Sequence, residues 1–528
     1  MLPVRHLHLS AAFVMSAVLT FAQSGIGPVT SAVPQARHHI AHPPTLIASQ
    51  YKLKEIVNGF APLENPSGII TNFGFLNDFP PQPIEATKTE ADENTYLVFN
   101  DNPGGPTEGY DYGRHFLFQG HEVFSGDIAY MTRINLDVTD PAHRITLLTP
   151  VGEDGLTHIN DIDGSTYDPF TSTLLFTSEA GSPVGGVYEL TTSWPPTVTK
   201  LDGILGSAGY EGIHPDDQGN LLIIEDSGGK SVNVNPDDPN SPKNARQPNS
   251  FVYRFVPNDK SDLSAGGKLQ ALQVSIDGEP VVFHADDPVG DVFSDAQLQL
   301  HTPGTSFPVQ WVTVHDTAVD GTDPFNANSA AKAAGATPFK RPENAQFLPG
   351  SHFLTFFFDP TGDTNANSGN VPALAARGAW GSIFRVDLNS DREGGLISIF
   401  VLGDARHSSF DNLTFADANT LLAAEDRGDT LHSQLNRLDS IWSFFVDGSP
   451  ATRFVALGRD KLAEIDASLL GTPGYQNEGD NEPTGLHVST GSTLASGIPG
   501  TLANLDHPRA FFTQQHGMNT VYEVVKKK

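Results

Sequence analysis

Four segments of the sequence share one arrangement of potential ligands. They are IDGSTYDPFTSTLLFTSE (162–179), YEGIHPDDQGNLLIIED (210–226), PENAQFLPGSHFLTFFFD (342–359) and FDNLTFADANTLLAAED (410–426). Each opens with an acidic residue followed by Gly or Asn. A short strand, a turn and an apolar strand come next, and the apolar strand ends in a second acidic residue. The paired acids lie 16, 14, 16 and 14 residues apart (163/179, 211/225, 343/359, 411/425). A degenerate fifth copy starts at EPTGLHVST (482–490) and ends, after an insertion, at FFTQQHG (511–517). Carboxylates gathered in one place repel each other and raise one another's pKa unless cations compensate them. The chain has no Cys. Its ligands would be carboxylates, Asn, carbonyls and His, a set that suits Ca²⁺, Mg²⁺, Mn²⁺ or Fe³⁺.

Composition agrees with that chemistry. The 528 residues carry 62 Asp+Glu against 31 Lys+Arg, a formal charge of −31. This argues against a nucleic-acid partner, whose phosphates attract basic faces. The absence of Cys excludes disulfides, iron–sulfur clusters and thiol nucleophiles. No P-loop, nucleophile elbow or dinucleotide fingerprint is present.

The repeat also constrains the fold. In an antiparallel hairpin the start of the first strand lies beside the end of the second, so both acids of each copy share one open end. Radial stacking would point all those ends to one face. The copies begin at 163, 211, 343, 411 and 482. Propeller blades repeat at about 40–50 residues, and insertions stretch that spacing. The 132-residue step from 211 to 343 is expected to hide one more blade, with FVYRFVP (251–257) in it. Short apolar runs between Gly, Pro, Asn and Asp clusters, with little helical periodicity, give an all-β class. The expectation is a β-propeller of about six blades with loop insertions and a carboxylate-lined mouth.

At the N-terminus, Arg5 precedes an apolar run from Ala11 to Ala22 with small residues after it. Twelve residues are too few for a span of about 20, and the pattern is that of an export signal. The expected organisation is an export signal over 1–24, a Pro- and His-containing linker over 25–50 and a single propeller over 51–528. That implies a periplasmic or extracellular protein without a membrane span, and a monomer by default.

The motifs, in their order, resemble those of the PhoX-type alkaline phosphatases, from about Tyr96 to Val525. GRHFLFQGHE (113–122) resembles an early His-Glu motif and TLLFTSE (173–179) the strand ending in Cys-Glu-Glu. FVYRFVP and GGKLQAL (266–272) are near-verbatim matches. RPEN (341–344) resembles an Arg-Pro-Glu motif, FDNLTF…AAEDRGD (410–429) an Asp-Asn-Leu and Glu-Asp-Gly pair, and EPTG (482–485) with QQHG (514–517) the last pair. The resemblance implies a small-molecule phosphate ester as substrate, several Ca²⁺ and an Fe³⁺ as cofactors, and metal ligation by Glu122, Glu179, Glu211, Glu343, Asp411, Asn412, Glu425, Asp426 and Glu482. It implies Arg341 and Glu343 as catalytic residues, with Arg341 neutralising the transferring phosphoryl group. Ser178 stands where the phosphatases carry an iron-binding Cys, and Ala180 replaces the second Glu of that motif. Two other functions stay open on the sequence: a calcium-bound propeller acting as a binding module, and a single-calcium lactonase-like hydrolase. His121 and His516 adjoin motifs, and DPTGDTNANSG (359–369) resembles half of a calcium loop that lacks its closing Glu.

Overall fold

A computed structural model describes residues 26–27, 29, 31–40, 42–65, 70–74, 89–123, 128–459, 482–515 and 517–527. Residues 1–24, expected from sequence to be an export signal, and His516 lie outside them. The described chain forms six four-stranded antiparallel blades. Blade 1 is Glu90–Val98, His115–Glu122, Tyr130–Asn135 and Ile145–Leu147. Blade 2 is Ile162–Asp168, Thr173–Ser178, Gly186–Thr191 and Val198–Lys200. Blade 3 is Tyr210–Pro215, Leu221–Glu225, Val252–Pro257 and Gly267–Ile276. Blade 4 is Pro342–Phe347, Thr355–Pro360, Ser382–Leu388 and Gly394–Leu402. Blade 5 is Phe410–Asp417, Thr420–Glu425, Ser440–Phe445 and Thr452–Ala456. Blade 6 is Pro483–Ser489, Arg509–Gln514, Thr520–Lys526 and, from the other end of the chain, Tyr51–Val57.

The first strands of the six blades touch in sequence around the centre, and that of blade 6 touches that of blade 1, so the ring is closed. The second strands of blades 2 to 5 are buried along their whole length, as in Leu221–Glu225 (LLIIE) and Thr420–Glu425 (TLLAAE). Each blade packs both faces against neighbours, so these strands read as continuous apolar runs without alternation. The first strands are the polar ones, because one edge of each lines the central channel.

Two sequence expectations need correction. The step from 211 to 343 hides no blade. FVYRFVP is the third strand of blade 3, and the extra length is an insertion whose strand Phe307–Asp316 pairs with the outer strands of blades 3 and 4 and fuses them into one sheet. The sixth blade is blade 1, ahead of the first repeat found. Residues 25–50 are also not a free linker where they are described. Arg453 donates to the Val33 carbonyl, Arg459 to that of His38, and Leu46–Ile47 adds an edge strand to blade 5. Ile26 and Val29 bury in the core between blades 5 and 6. Among the described residues, no helix is long and apolar enough to cross a membrane.

Candidate metal centre

All six first strands carry the same defect at the same height. Two residues face one on the second strand at Asp92–Glu93, Asp163–Gly164, Glu211–Gly212, Glu343–Asn344, Asp411–Asn412 and Gly485–Leu486. A bulge of this kind bends the strand and re-aims a side chain. In five blades the first bulge residue is acidic. The second packs toward the next blade, which explains the Gly or Asn that follows the acid. A Cβ on Gly164 would lie 2.3 Å from the Glu211 carbonyl oxygen of blade 3. Asn412 Oδ1 instead accepts from Leu486 N of blade 6 at 3.2 Å.

The bulge acids meet residues at the ends of the second strands. Carboxylate oxygens come within 4.8 Å of one another in four groups: Asp92–Glu122–Asp163, Asp163–Glu179–Glu211, Glu179–Asp226–Glu343 and Glu211–Glu343–Asp411. The groups share members, so eight carboxylates form one continuous cluster. Blade 6 contributes an amide: Gln515 Nε2 donates to Asp92 Oδ2 (3.2 Å) and Glu122 Oε2 (3.0 Å).

Arg341 stands beside this cluster in the left-handed backbone region, φ 54°. Its Nε and Nη2 both lie 2.8 Å from Asp226 Oδ2, and Nη2 is 3.2 Å from Glu343 Oε1. Nη1 donates to Thr364 Oγ1 at 3.3 Å. Thr361 Oγ1 donates a short bond to Glu343 Oε1.

The electrostatics follow from burial without a counter-charge. Burial first, and like charges second, push Asp92, Glu122, Asp163, Glu211 and Glu482 well above the ordinary carboxylate range. Glu343 rises for the same reasons, with Asp226 the leading like charge and Arg341 opposing. Burial lifts Glu179 and Asp411 to about 7. Burial alone would lower Arg341, but Asp226, Glu343 and Asp426 together outweigh it and hold the guanidinium charged.

Of the residues singled out in the sequence, Glu122, Glu179, Glu211, Glu343 and Asp411 come together in the cluster, with Arg341 against it. Asn412 bonds Asp411 Oδ1 at 3.1 Å and ties blade 5 to blade 6. Outside the four groups, the Asp426 charge raises the pKa values of Asp411 and Glu482, while a side-chain hydrogen bond with Glu482 lowers that of Asp411. Glu425 is placed elsewhere. Its Oε1 accepts from Arg427 Nη2 at 2.5 Å and Ser408 N at 3.2 Å, in a fully buried ion pair. Strand alternation is the reason: residues 225 and 425 end their strands facing between blades, and the next residues turn to the mouth. Glu225 is likewise engaged by Asn328, Tyr253 and Phe251 N.

Sequence reasoning therefore missed Asp226. It also left out Asp92, Asp163 and Gln515 as site members, although Asp163 opens the first repeat. Ser178 Oγ donates to the Asn160 carbonyl at 2.5 Å and is fully buried. His121 is structural: it bonds Thr89 and Thr132, stacks on Tyr130, and burial lowers its pKa. The half calcium loop is a polar turn. Asp363 Oδ1 accepts from Arg246 N and Lys340 Nζ, and Asn365 caps a helical turn at Asn367 N.

Residues 220–439 match the family model described as alkaline phosphatase PhoX. Among solved structures, the chain is similar to Pseudomonas fluorescens PhoX in complex with vanadate, a transition state analogue. The identity is 12%, the TM-score 0.55, and the match covers 94% of this chain and 97% of that one. A PQQ-bound aldose sugar dehydrogenase from Streptomyces coelicolor also matches at 12% identity over 69% of this chain and 98% of that one, with a TM-score of 0.24, too low to carry an argument. No curated protein matches by sequence. Residues 220–439 thus match the PhoX family model by sequence, and the six-bladed ring shares its fold with a PhoX structure over 94% of the chain.

Proposed function

We propose that the protein is an exported, metal-dependent phosphatase that hydrolyses phosphate esters at the mouth of the propeller. One observation carries this reading: a buried cluster of eight carboxylates with an arginine bonded to two of them. Buried carboxylates at this density require compensating cations. The residues present fit such ions. Asp92 Oδ1, Asp226 Oδ1 and Asp411 Oδ2 are buried and make no hydrogen bond. The donors are all oxygen, as Ca²⁺ and a hard ferric ion prefer. Eight carboxylates offer sixteen oxygens, more than the six to eight that one calcium takes. That favours several ions over the single-calcium hydrolase.

Asp92, Glu122, Asp163, Glu179, Glu211, Asp226, Glu343 and Asp411 would hold the ions. When bound, such ions supply Lewis-acid polarisation of the phosphoryl oxygens and activation of a water nucleophile. The chain's own part is positioning. Arg341 is held charged by Asp226 and Glu343, and its planar fork suits two phosphoryl oxygens. Glu343 aligns Arg341 while offering its remaining oxygen to the cluster. The blade-to-blade bonds through Asn344 and Asn412 hold the acids at one height, so the site is organised before substrate arrives. The PhoX match over residues 220–439 and the vanadate bound by the fold neighbour support phosphoryl chemistry. Export rests on the sequence of residues 1–24.

The test is elemental analysis of the purified protein with phosphate release from 4-nitrophenyl phosphate before and after chelation. Several ions per chain, and activity lost on chelation and regained on metal return, are the expected result. Activity that survives complete metal removal would overturn the reading.

A further inference from the structure

Beside Arg341 opens a cavity of about 450 Å³ whose lining includes Lys243, Arg246, Arg341, Thr364, Arg427 and Asp429. The cations here divide into two kinds. Arg427 is committed to Glu425, and Arg341 to Asp226 and Glu343. The Arg246 guanidinium and the Lys243 ammonium enter no ion pair or hydrogen bond among the described residues; Arg246 is held only through its backbone N–H, which donates to Asp363 Oδ1 at 3.0 Å. The acids of the wall do not balance them. Asp363 is paired with Lys340 at 3.2 Å, and Asp429 has an interaction of its own. Two uncommitted cations on one wall run against a composition in which acids outnumber bases two to one.

Arg341 is the wall shared by this cavity and the carboxylate cluster. A phosphoryl group oriented by Arg341 therefore has the cavity available for the rest of its ester. The volume is that of a small-ligand pocket. A guanidinium and an ammonium in its lining match a second phosphate, one by its fork and the other as a point charge.

We propose that the cavity is an anion subsite, and that the preferred substrate is a phosphate ester whose leaving group carries a second phosphate. The inference rests on the phosphatase reading for its meaning, but its binding test does not.

The test uses the full-length, metal-loaded protein and two non-hydrolysable probes, propane-1,3-diylbisphosphonate and propylphosphonate, titrated by calorimetry. Wild type is expected to bind the bisphosphonate at least about 10-fold more tightly, the contribution of one or two charge-assisted contacts. In Lys243→Ala/Arg246→Ala the ratio between the probes should collapse toward one. Lys243→Gln/Arg246→Gln keeps much of each stem and should show the same loss, which preserves the test where alanine weakens the wall. No preference in wild type, or one that persists in both double variants, overturns the proposal, since the second phosphonate would then sit on the metal cluster. Phosphate release from 4-nitrophenyl phosphate, measured on the same preparation, judges the phosphatase reading separately: an intact bisphosphonate preference without any hydrolysis would refute that reading and leave the subsite standing.

Discussion

Arg341 grips Asp226 through a single oxygen. Both Nε and Nη2 lie 2.8 Å from Oδ2, which leaves Oδ1 buried and without a hydrogen bond. One aspartate thus fixes the arginine while presenting a second oxygen to the cluster it shares with Glu179 and Glu343. Replacing Arg341 by Ala should cut phosphate release about 10²-fold or more if the guanidinium stabilises charge in the transition state. Arg341→Lys keeps the charge and loses the fork, so it should recover only part of the rate. Steady-state kinetics on 4-nitrophenyl phosphate reads both; a wild-type rate in the alanine variant would remove Arg341 from the mechanism.

Neighbouring residues at the ends of second strands should separate by role. Asp226→Asn is expected to lower the number of bound ions and to weaken activity. Glu425→Gln should leave metal content unchanged and destabilise by about 3 kcal/mol, because it leaves the buried Arg427 short of a partner. Elemental analysis and denaturant unfolding measure the two quantities. Loss of metal in the Glu425 variant would place that residue in the cluster after all.

The metal-free protein should lose stability as pH rises. Glu179 goes from 4.5 to about 7, Asp411 from 3.8 to about 7 and Glu93 from 4.5 to about 8, in each case chiefly through burial. A group with a raised folded-state pKa binds its proton more tightly when folded. Its stabilisation is complete below the unfolded value and disappears as pH climbs through the folded one. The melting temperature in chelator should therefore fall from about pH 3.8 to pH 8. Calcium should restore it at the alkaline end, by about 2.7 kcal/mol at a concentration 100 times Kd. A melting temperature that is flat or rising over that window in chelator would contradict the assignment.

The bulge geometry is open to a steric test. A methyl group on Gly164 would fall 2.3 Å from the Glu211 carbonyl oxygen, so Gly164→Ala must push blade 2 from blade 3 or undo the bulge. The expected cost is about 1–3 kcal/mol. Metal content should drop with it, because Asp163, Glu179 and Glu211 form one group across that seam. Unchanged stability and metal content would show that the seam tolerates separation.

Much of this was readable because the repeat is a physical necessity. An acid followed by Gly or Asn is what a two-for-one bulge against the next blade requires, and four copies at matched offsets betrayed the ring. Blade 1 escaped notice for a specific reason. Its first strand, EADENTYLV, carries two acids at the bulge and no Gly or Asn directly after the first of them, and its second strand ends in GHE instead of an apolar run. The choice of Glu425 alongside Asp426, and the omission of Asp226, came from counting to the end of the strand without assigning its faces. A one-residue error there moves a side chain from the mouth to the space between blades. Gln515 lies inside the QQHG motif (514–517) but drew no role there, since an amide that donates to two carboxylates 393 and 423 residues away belongs to no local pattern. The 132-residue step, with FVYRFVP in it, was expected to hold a blade because spacing alone does not distinguish an added blade from an insertion that bridges two.

Closure of blade 6 sets an order of events. Its outer strand, Tyr51–Val57, pairs with Thr520–Lys526, and Gln515 reaches the first of the carboxylate groups from the same late stretch of chain. A ribosome delivers these partners far apart in synthesis. The amide that braces Asp92 and Glu122 is therefore absent until 393 residues beyond Glu122 have been made. If the cluster holds ions as proposed, a chain without Gln515 in place lacks the complete cation trap, and the ions would be acquired from whatever the surroundings offer where the ring finally shuts. The metals bound would then report on the compartment in which it folded.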